Sequence, residues 1–514
     1  MALIVRKTYS KKIIFLILLL SLFSRIILIS RELPLLDGKL IPDDSYLSWQ
    51  IAKNIANGFG PKYSGNYTNG FQPLYVFVVS PFFRLFSDPV APIKCSLFVL
   101  AIFDTATLAV ILLWVHSFSS SRFVLMITGL LWVVNDYIIR TSLNGLETIM
   151  SGFFITLGAY FFYRIYFLSP QKRYSQFFIL GIIIGFACFT RVDNLILALI
   201  IGLFILFYER RKINVMLTSA TLFSIGVLLI FSIWIIYSNH YLGFWYPESG
   251  KAVRFQSLAN VNHHPTLSWY GKMIVTGAKQ ILFENGGLAV LMLFIFIYGK
   301  IKQKFHYRFS IIMPLAIFCI SIFLAYTLYI FTPWYFDRYF FPFAILFILA
   351  FAILLDSIVK NIPSKTAYTL YGSILLFWIA IVLVRGKYAD YFIGPENKDL
   401  GYMNLALWAK QNLPDSSVVG CSQSGALGYF ATNLEVINLD GVVNKECFIS
   451  LQQKKNIEYI KSVHMNYILG WTVNIDFIKK HSENIKEADI SLVNEIKGFR
   501  SWNQEWYLYR VNQE

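Results

Sequence analysis

The sequence predicts a polytopic α-helical membrane protein that carries a C-terminal extracytoplasmic α/β domain. Three observations predict it. Of 514 residues, 56% are hydrophobic and only 14% charged, with mean hydropathy +0.56, a balance too apolar for a soluble chain of this length. Apolar runs recur at roughly the twenty-residue length that crosses a hydrocarbon core as a helix, and helices rather than a barrel are the indicated spanning element. After Arg385 the composition turns soluble.

The formal charge of +16 would suit a nucleic-acid partner, but its distribution does not. Lys and Arg fall in short clusters between apolar runs: Arg6-Lys7 with Lys11-Lys12, Lys172-Arg173, Arg210-Arg211-Lys212, 300–308 and 360–365. That pattern reports topology, and the positive-inside rule puts all five clusters and the N-terminus in the cytoplasm. The first apolar run, 13–29, lacks a small-residue cleavage site and reads as a retained helix. Cys95, Cys188 and Cys319 lie in apolar runs. Cys421 and Cys447 lie in the polar part, where nothing in their spacing demands a bond and no metal-type pattern exists.

Helix one carries the chain outward, so the first loop, 32–72, is expected outside. It is followed by apolar runs at 73–86, 93–115, 123–139 and 148–167 before the inner Lys172-Arg173. Four crossings cannot change sides, so one run does not fully cross. The expected one is 73–86, short and interrupted by Pro81 and Arg84, with a re-entrant 123–139 as the alternative. Either choice leaves the link 135–147 on the outer side, with the loop 191–194, the long segment 239–284 and the loop 332–338. About eleven spans follow. The boundary with the outer domain is expected at 385/386, giving units 1–385 and 386–514. In the second unit, 402–412 reads as an amphipathic helix stopped by Pro414, 425–430 as a short helix, and 417–421, 435–439 and 506–511 as strands.

Several polar groups converge on the outer side by this topology. They are Asp43 and Asp44 in Pro42-Asp43-Asp44-Ser45-Tyr46, Glu147 in Asn144-Gly145-Leu146-Glu147-Thr148, and Arg191 with Asp193 in Thr190-Arg191-Val192-Asp193-Asn194. Lys251 follows Pro247-Glu248-Ser249-Gly250, and Arg338 stands in Trp334-Tyr335-Phe336-Asp337-Arg338-Tyr339. A carboxylate can take the proton of an attacking hydroxyl, and Lys and Arg stabilise a phosphate, Arg through its planar fork. Each residue also has a structural reading. The aspartates suit the start of a helix at Ser45, Asn144 with Glu147 fits a capping box, Arg191 and Asp193 fit an ion pair closing a hairpin, and Arg338 fits an interfacial anchor. Lys251 alone reads as a solvated loop lysine, and His263-His264 lacks ligand spacing. Convergence rather than any single residue favours a site for an anionic, lipid-linked substrate.

The order Pro-Asp-Asp-x-Tyr, Ala52-Lys53-Asn54, Gly58-Phe59-Gly60 and Thr68-Asn69-Gly70-Phe71-Gln72-Pro73-Leu74 after a first membrane helix resembles the bacterial GT-C membrane glycosyltransferases. The likeness is to their arabinofuranosyltransferase-like branch and, more distantly, to the aminoarabinose transferase and protein mannosyltransferase families. Asn144 to Thr148 is similar to that branch's second acidic motif, and Thr190-Arg191-Val192-Asp193 to its Thr-Arg-Pro-Asp element with Val192 in place of proline. The stretch 241–251 is similar to its Tyr-Gly…Pro-Asn-Thr…Lys loop, with Glu248-Ser249 in place of Asn-Thr. Gly425-Ala426-Leu427-Gly428-Tyr429 and Leu439-Asp440-Gly441 resemble the outer-domain pattern attached to these enzymes. The resemblance implies an inverting glycosyltransferase of the cytoplasmic (inner) membrane. It would move a hexosyl or pentosyl group from a polyprenyl-phosphate donor to a glycan, lipid or protein acceptor outside. By motif position, Asp43 matches the general base. Asp44 and Glu147 match acidic positions that orient the acceptor or bind a divalent cation (Mg, Mn or Ca). Lys251 and Arg338, with Arg191 in support, are expected at the donor phosphate.

Two other classes remain open. A transporter or flippase for lipid-linked saccharides would show paired repeats and midplane charges, whereas here charges cluster at span ends. A polysaccharide polymerase or ligase differs only in substrate.

Overall fold

The computed structural model describes residues 2–259, 261–301, 309–360, 363–385, 401–501 and 504–513. The expected cytoplasmic segments 300–308 and 360–365 lie partly outside the described residues, as does the expected domain boundary. Among the described residues, eight helices are long and apolar enough to cross a membrane: Lys11–Ile29, Ala91–Phe118, Thr148–Leu168, Val192–Glu209, Ile213–Leu242, Leu267–Tyr298, Phe309–Ile330 and Phe341–Val359. A ninth is made if Arg122–Val133 and Asp136–Ser142, bent by 57° at their junction, count as one. The chain is thus a multi-pass membrane protein.

Of the run expected not to cross, 73–86, and its alternative, 123–139, each is broken. Residues 73–85 form two short helices, Pro73–Val79 and Phe82–Leu85, with Pro81 at the joint, and the bend near Asn135 breaks the second run. The bend frees backbone groups inside apolar surroundings, and they need partners. Arg25 of the first helix donates from Nη1 to the Val133 carbonyl at 2.6 Å, and Asn135 caps the second half by accepting from the Ile138 amide at 3.2 Å. Arg25 also donates from Nε to Asp104 at 2.9 Å, both side chains fully buried. Asp104 accepts from Trp132 and Ser142 as well. A charge paired in this way is the form in which arginine and aspartate are tolerated between apolar helices.

Helices approach closely where small residues allow it. A Cβ on Gly181 would lie 2.1 Å from the Phe223 carbonyl oxygen, and one on Gly226 would lie 2.4 Å from that of Phe178. These glycines let helix Tyr174–Thr190 lie against Ile213–Leu242. One expectation is corrected here. The segment 239–284, expected as an outer loop, contains helix Glu248–Ala259 and the first half of a 35-residue helix, Leu267–Ile301. Lys272, Lys279, Gln280 and Glu284 interrupt its apolar run. Glu284 is held by Arg140 at 2.8 Å.

The C-terminal part is an α/β unit around a five-stranded sheet. A two-stranded hairpin in the first loop comprises β1 (Lys62–Tyr63) and β2 (Asn66–Tyr67). The sheet comprises β3 (Val418–Cys421), β4 (Glu435–Asn438), β5 (Tyr467–Gly470), β6 (Ile490–Ser501) and β7 (Gln504–Val511), in the order β4-β3-β5-β7-β6. β3 runs parallel to β4 and β5, and β7 antiparallel to β5 and β6. The strands at 417–421, 435–439 and 506–511 and both helices were legible in sequence. β5 and β6 were not, and β6 carries Glu495, Lys497 and Arg500 with register shifts against β7. Cys421 and Cys447 are buried and unpaired.

The first loop binds this unit to the bundle. Asp37 accepts from the Met403 amide at 2.7 Å, at the start of helix Tyr402–Asn412. Asp43 accepts from the Gly425 and Ala426 amides at 2.8 and 2.9 Å, at the start of helix Gly425–Phe430. The Tyr63 hydroxyl donates to the Ser424 carbonyl at 2.6 Å. A Cβ on Gly425 would lie 2.1 Å from the Asp43 carbonyl oxygen, so only glycine permits this approach. We expect Gly425→Val to separate the two units. The measurement is thermal unfolding and limited proteolysis of detergent-solubilised protein, with about 2 kcal/mol of stability lost to overpacking and new cleavage in the first loop; wild-type protection would refute the docking.

Candidate active site

The Pro42-Asp43-Asp44 motif opens helix Asp43–Ala56, with Pro42 at the N-cap and no side-chain cap. The aspartates are therefore first-turn residues, favourably placed against the helix's positive end, and their carboxylates are directed elsewhere. The helix packs on the second acidic motif: Ser45 donates to the Asn144 carbonyl at 2.6 Å, and Trp49 lies against Gly145. Gly145 has φ +73°, and a Cβ there would meet the Trp49 ring at 2.6 Å. Both the turn and the ring demand glycine. The capping-box reading of Asn144 and Glu147 is not realised. Asn144 accepts from the Leu146 amide, and Glu147 makes no cap bond.

Glu147 instead turns to Arg191. Nη1 donates to its carboxylate at 2.5 Å, while Nε and Nη2 hold Asp193 at 3.1 and 2.7 Å. Tyr326 donates to Asp193 at 2.5 Å and accepts from Arg191 at 3.0 Å. The Arg191–Asp193 pair expected to close the hairpin is present, but its guanidinium also reaches another helix. Val192, standing where the resemblance has proline, still follows an extended Arg191 and opens a short turn, Val192–Asn194, braced by Asn194 to Ser151.

Arg338 reaches Asp44, Nη2 to Oδ2 at 2.8 Å. Its guanidinium carbon lies 4.1 Å from the Tyr335 ring centroid and 5.4 Å from that of Tyr339. Arg191 lies over Tyr339 too, at 4.7 Å, so one aromatic ring joins two cations. Burial opposes the charge on Arg338, but Asp44 with Tyr339 and Tyr335 outweighs it and holds the guanidinium above its ordinary value. Its buried Nε has no hydrogen-bond partner among the described residues. A donor of that kind is one a ligand oxygen can use.

Asp44, Glu147, Arg191, Asp193, Tyr335 and Arg338 all line one cavity of about 240 Å³ between the bundle, the first loop and the C-terminal unit. Convergence is thus realised for four of the six expected site residues. The other two lie differently. Asp43 is 3% exposed, and its two oxygens are taken by the Gly425 and Ala426 amides; burial raises its carboxyl to about 7 even so. Lys251 is exposed and lies 4.1 Å over the Tyr246 ring, on a face of helix Glu248–Ala259 other than the one whose Ser249, Gly250 and Val253 meet the cavity. Asn69 holds that loop in place by donating to the Tyr246 carbonyl and accepting from the Glu248 amide. Tyr326 and Tyr339 were missed by sequence reading, because tyrosine at a span end is ordinary.

The expected divalent cation finds a poor donor set. Asp44 and Glu147 are each opposed by a guanidinium, and among the described residues no group of three His, Cys, Asp or Glu could hold a metal. We expect Arg191→Ala to cost about 3 kcal/mol, since it leaves Glu147 and Asp193 without their counter-charge, whereas Lys251→Ala leaves unfolding unchanged; denaturation curves of the two variants check this.

Residues 394–509 match a family model described as a domain of unknown function (DUF8728). No curated protein matches the sequence. Among solved structures, the oligosaccharyltransferase of Archaeoglobus fulgidus, solved with Zn and sulfate, superposes with TM-score 0.56 at 14% identity, covering 92% of this chain and 70% of that one. ArnT of Cupriavidus metallidurans bound to undecaprenyl phosphate superposes with TM-score 0.56 at 11% identity, covering 98% and 97%. Its apo state gives 0.50 at 11% identity, covering 99% and 98%. At such identities the likeness speaks for the fold, and the chain has the GT-C membrane fold that its first-loop motif resembles.

Proposed function

We propose that the protein is an inverting glycosyltransferase that takes a sugar from a polyprenyl-phosphate donor on the outer face of the cytoplasmic membrane. The carrying observation is the single cavity in which Asp44 is paired with Arg338 and Glu147 with Arg191. Guanidiniums in such a cavity suit a lipid phosphate, and the similar ArnT structure holds undecaprenyl phosphate. In this reading an acceptor hydroxyl oxygen attacks the anomeric carbon from the face opposite the phosphate. The bond from that carbon to the phosphate oxygen breaks, polyprenyl phosphate leaves with the electron pair, and the hydroxyl proton passes to Asp44.

Asp44 is given the role of base because its side chain is 32% exposed and reaches the cavity, whereas the oxygens of Asp43 are committed to amides. Asp43 is a positioning residue that fixes the start of the helix bearing Asp44. Arg338, with its free Nε, and Arg191 face the leaving phosphate and supply positive charge without a cation. The topology that suits this reading has the N-terminus in the cytoplasm and residues 401–513 outside.

The test is transfer from a panel of radiolabelled polyprenyl-phosphate sugars in membranes at matched expression. One donor is consumed by wild type, and Asp44→Asn lowers turnover by about 10²- to 10⁴-fold with unchanged thermal stability. Asp43→Asn lowers stability as well as activity, and Lys251→Ala stays within about twofold. Full activity in Asp44→Asn, or no donor consumed, sinks the reading. EDTA is expected to leave the rate unchanged; loss restored by Mn²⁺ or Mg²⁺ would mean that the arginines do not suffice.

A further inference from the structure

A second cavity, of about 290 Å³, opens on the other side of the Asp44 segment and shares Asp44 and Tyr335 with the first. Its composition is different. Each is lined by three carboxylates, Asp44, Glu147 and Asp193 in the first and Asp43, Asp44 and Asp440 in the second, but the first also holds two arginines, whereas among the described residues the second is lined by no Lys, Arg or His. Most of its wall comes from the C-terminal unit, and much of that wall is aromatic. Trp471 is braced from behind by the buried Trp506 at 5.6 Å between rings, and Tyr402 meets the same Trp506 edge-on at 6.4 Å. Trp334 and Tyr335 face it from the bundle side. Ser422, Gln423 and Asn474 add a hydroxyl and two amides, and Gln256 spans the rim by donating to the Asp440 carbonyl at 2.6 Å.

Fixed aromatic faces beside carboxylates and amides are chemistry for a sugar ring. The rings cover its apolar C–H face, while the carboxylates accept from, and the amides donate to, its hydroxyls. A phosphorylated or sulfated ligand would meet acidic side chains and, among the described residues that line the cavity, no cation, since Arg338, which pairs with Asp44, lines the first cavity instead. We infer that this cavity, walled by Trp471, Tyr402 and Tyr335 and floored by Asp44 and Asp440, binds an uncharged glycan whose reacting hydroxyl is presented to Asp44, so that the acceptor is a neutral saccharide. The inference rests on the glycosyltransferase reading for the role of the bound glycan, but the binding itself does not depend on turnover. It gives the C-terminal unit, which matches a family model described as a domain of unknown function, the role of acceptor selection.

The experiment therefore has two readouts. Tryptophan fluorescence of the purified full chain is titrated with neutral trisaccharides of glucose, mannose, galactose and arabinose and with their phosphorylated counterparts, for wild type, Trp471→Ala, Trp471→Phe and Gln423→Ala. In parallel, KM for acceptor and for donor is measured with whichever trisaccharide and polyprenyl-phosphate sugar support transfer. Binding is expected for at least one neutral trisaccharide and for none of the phosphorylated ones. Trp471→Ala and Gln423→Ala weaken it about tenfold or more, and Trp471→Phe largely restores it. The acceptor KM rises in step while the donor KM is unchanged. Transfer with an acceptor KM unmoved by Trp471→Ala and Gln423→Ala overturns the inference and leaves the enzyme reading standing. Trisaccharide binding that these variants weaken, with no donor consumed, keeps the glycan site and removes the enzyme reading. Preference for the phosphorylated sugars, or no saccharide binding, overturns the inference outright.

Discussion

The arrangement depends on one carboxylate. Asp43 accepts the first two amides of helix Gly425–Phe430, a short helix whose opening N–H groups would otherwise be buried without partners. By doing so it joins the membrane bundle to the C-terminal unit at a point where the two backbones nearly touch, since Gly425 leaves no room for a side chain against the Asp43 carbonyl. Both candidate cavities lie beside this join, because the residue next to Asp43 is Asp44. A shift in the docking of the two units would move the carboxylate that both cavities share.

A second layer of fixed charge surrounds it. Arg191 is a buried cation and Arg338 a half-buried one, and each is compensated by a carboxylate from a different element: Glu147 from the second acidic motif and Asp44 from the first. Tyr339 lies against both guanidiniums and stacks on Tyr326 at 4.2 Å. Such a network is held in one geometry because removing any member leaves the others uncompensated in a low dielectric. Preorganised positive charge of this kind can meet a leaving phosphate without rearrangement. The two cavities differ in cations rather than in carboxylates: the first sets two guanidiniums among its acidic groups, and the second, among the described residues, has none.

Much of this was legible in the sequence, and the reasons are particular. The acidic first loop, the Asn144 to Glu147 link and the Thr190 to Asn194 hairpin stood out because polar residues between apolar runs need a reason, and the positive-inside rule put them on one side. Two of the structural readings, the aspartate cap and the capping box, failed for a shared cause. The carboxylates of Asp43, Asp44 and Glu147 all have a local backbone within reach, yet each is used across the chain, where a second partner is worth more than a cap. Lys251 misled in the opposite direction: its motif placed it at the site, but the turn of helix Glu248–Ala259 carries its side chain to the outer face.

By itself the sequence determined that the chain crosses a membrane many times, where the first crossing ends, and which polar segments meet. Hydropathy and charge are carried residue by residue, and a bilayer sorts them by local solvation free energy. Only the tertiary structure decided which of two adjacent aspartates reaches the cavity that holds the arginines, that Arg191 serves Glu147 as well as Asp193, and that an acidic, aromatic hollow lies behind Asp44. Those outcomes depend on rotations of about 100° between neighbouring helix positions and on contacts between residues hundreds of positions apart, such as Asp43 with Gly425. No local pattern encodes either.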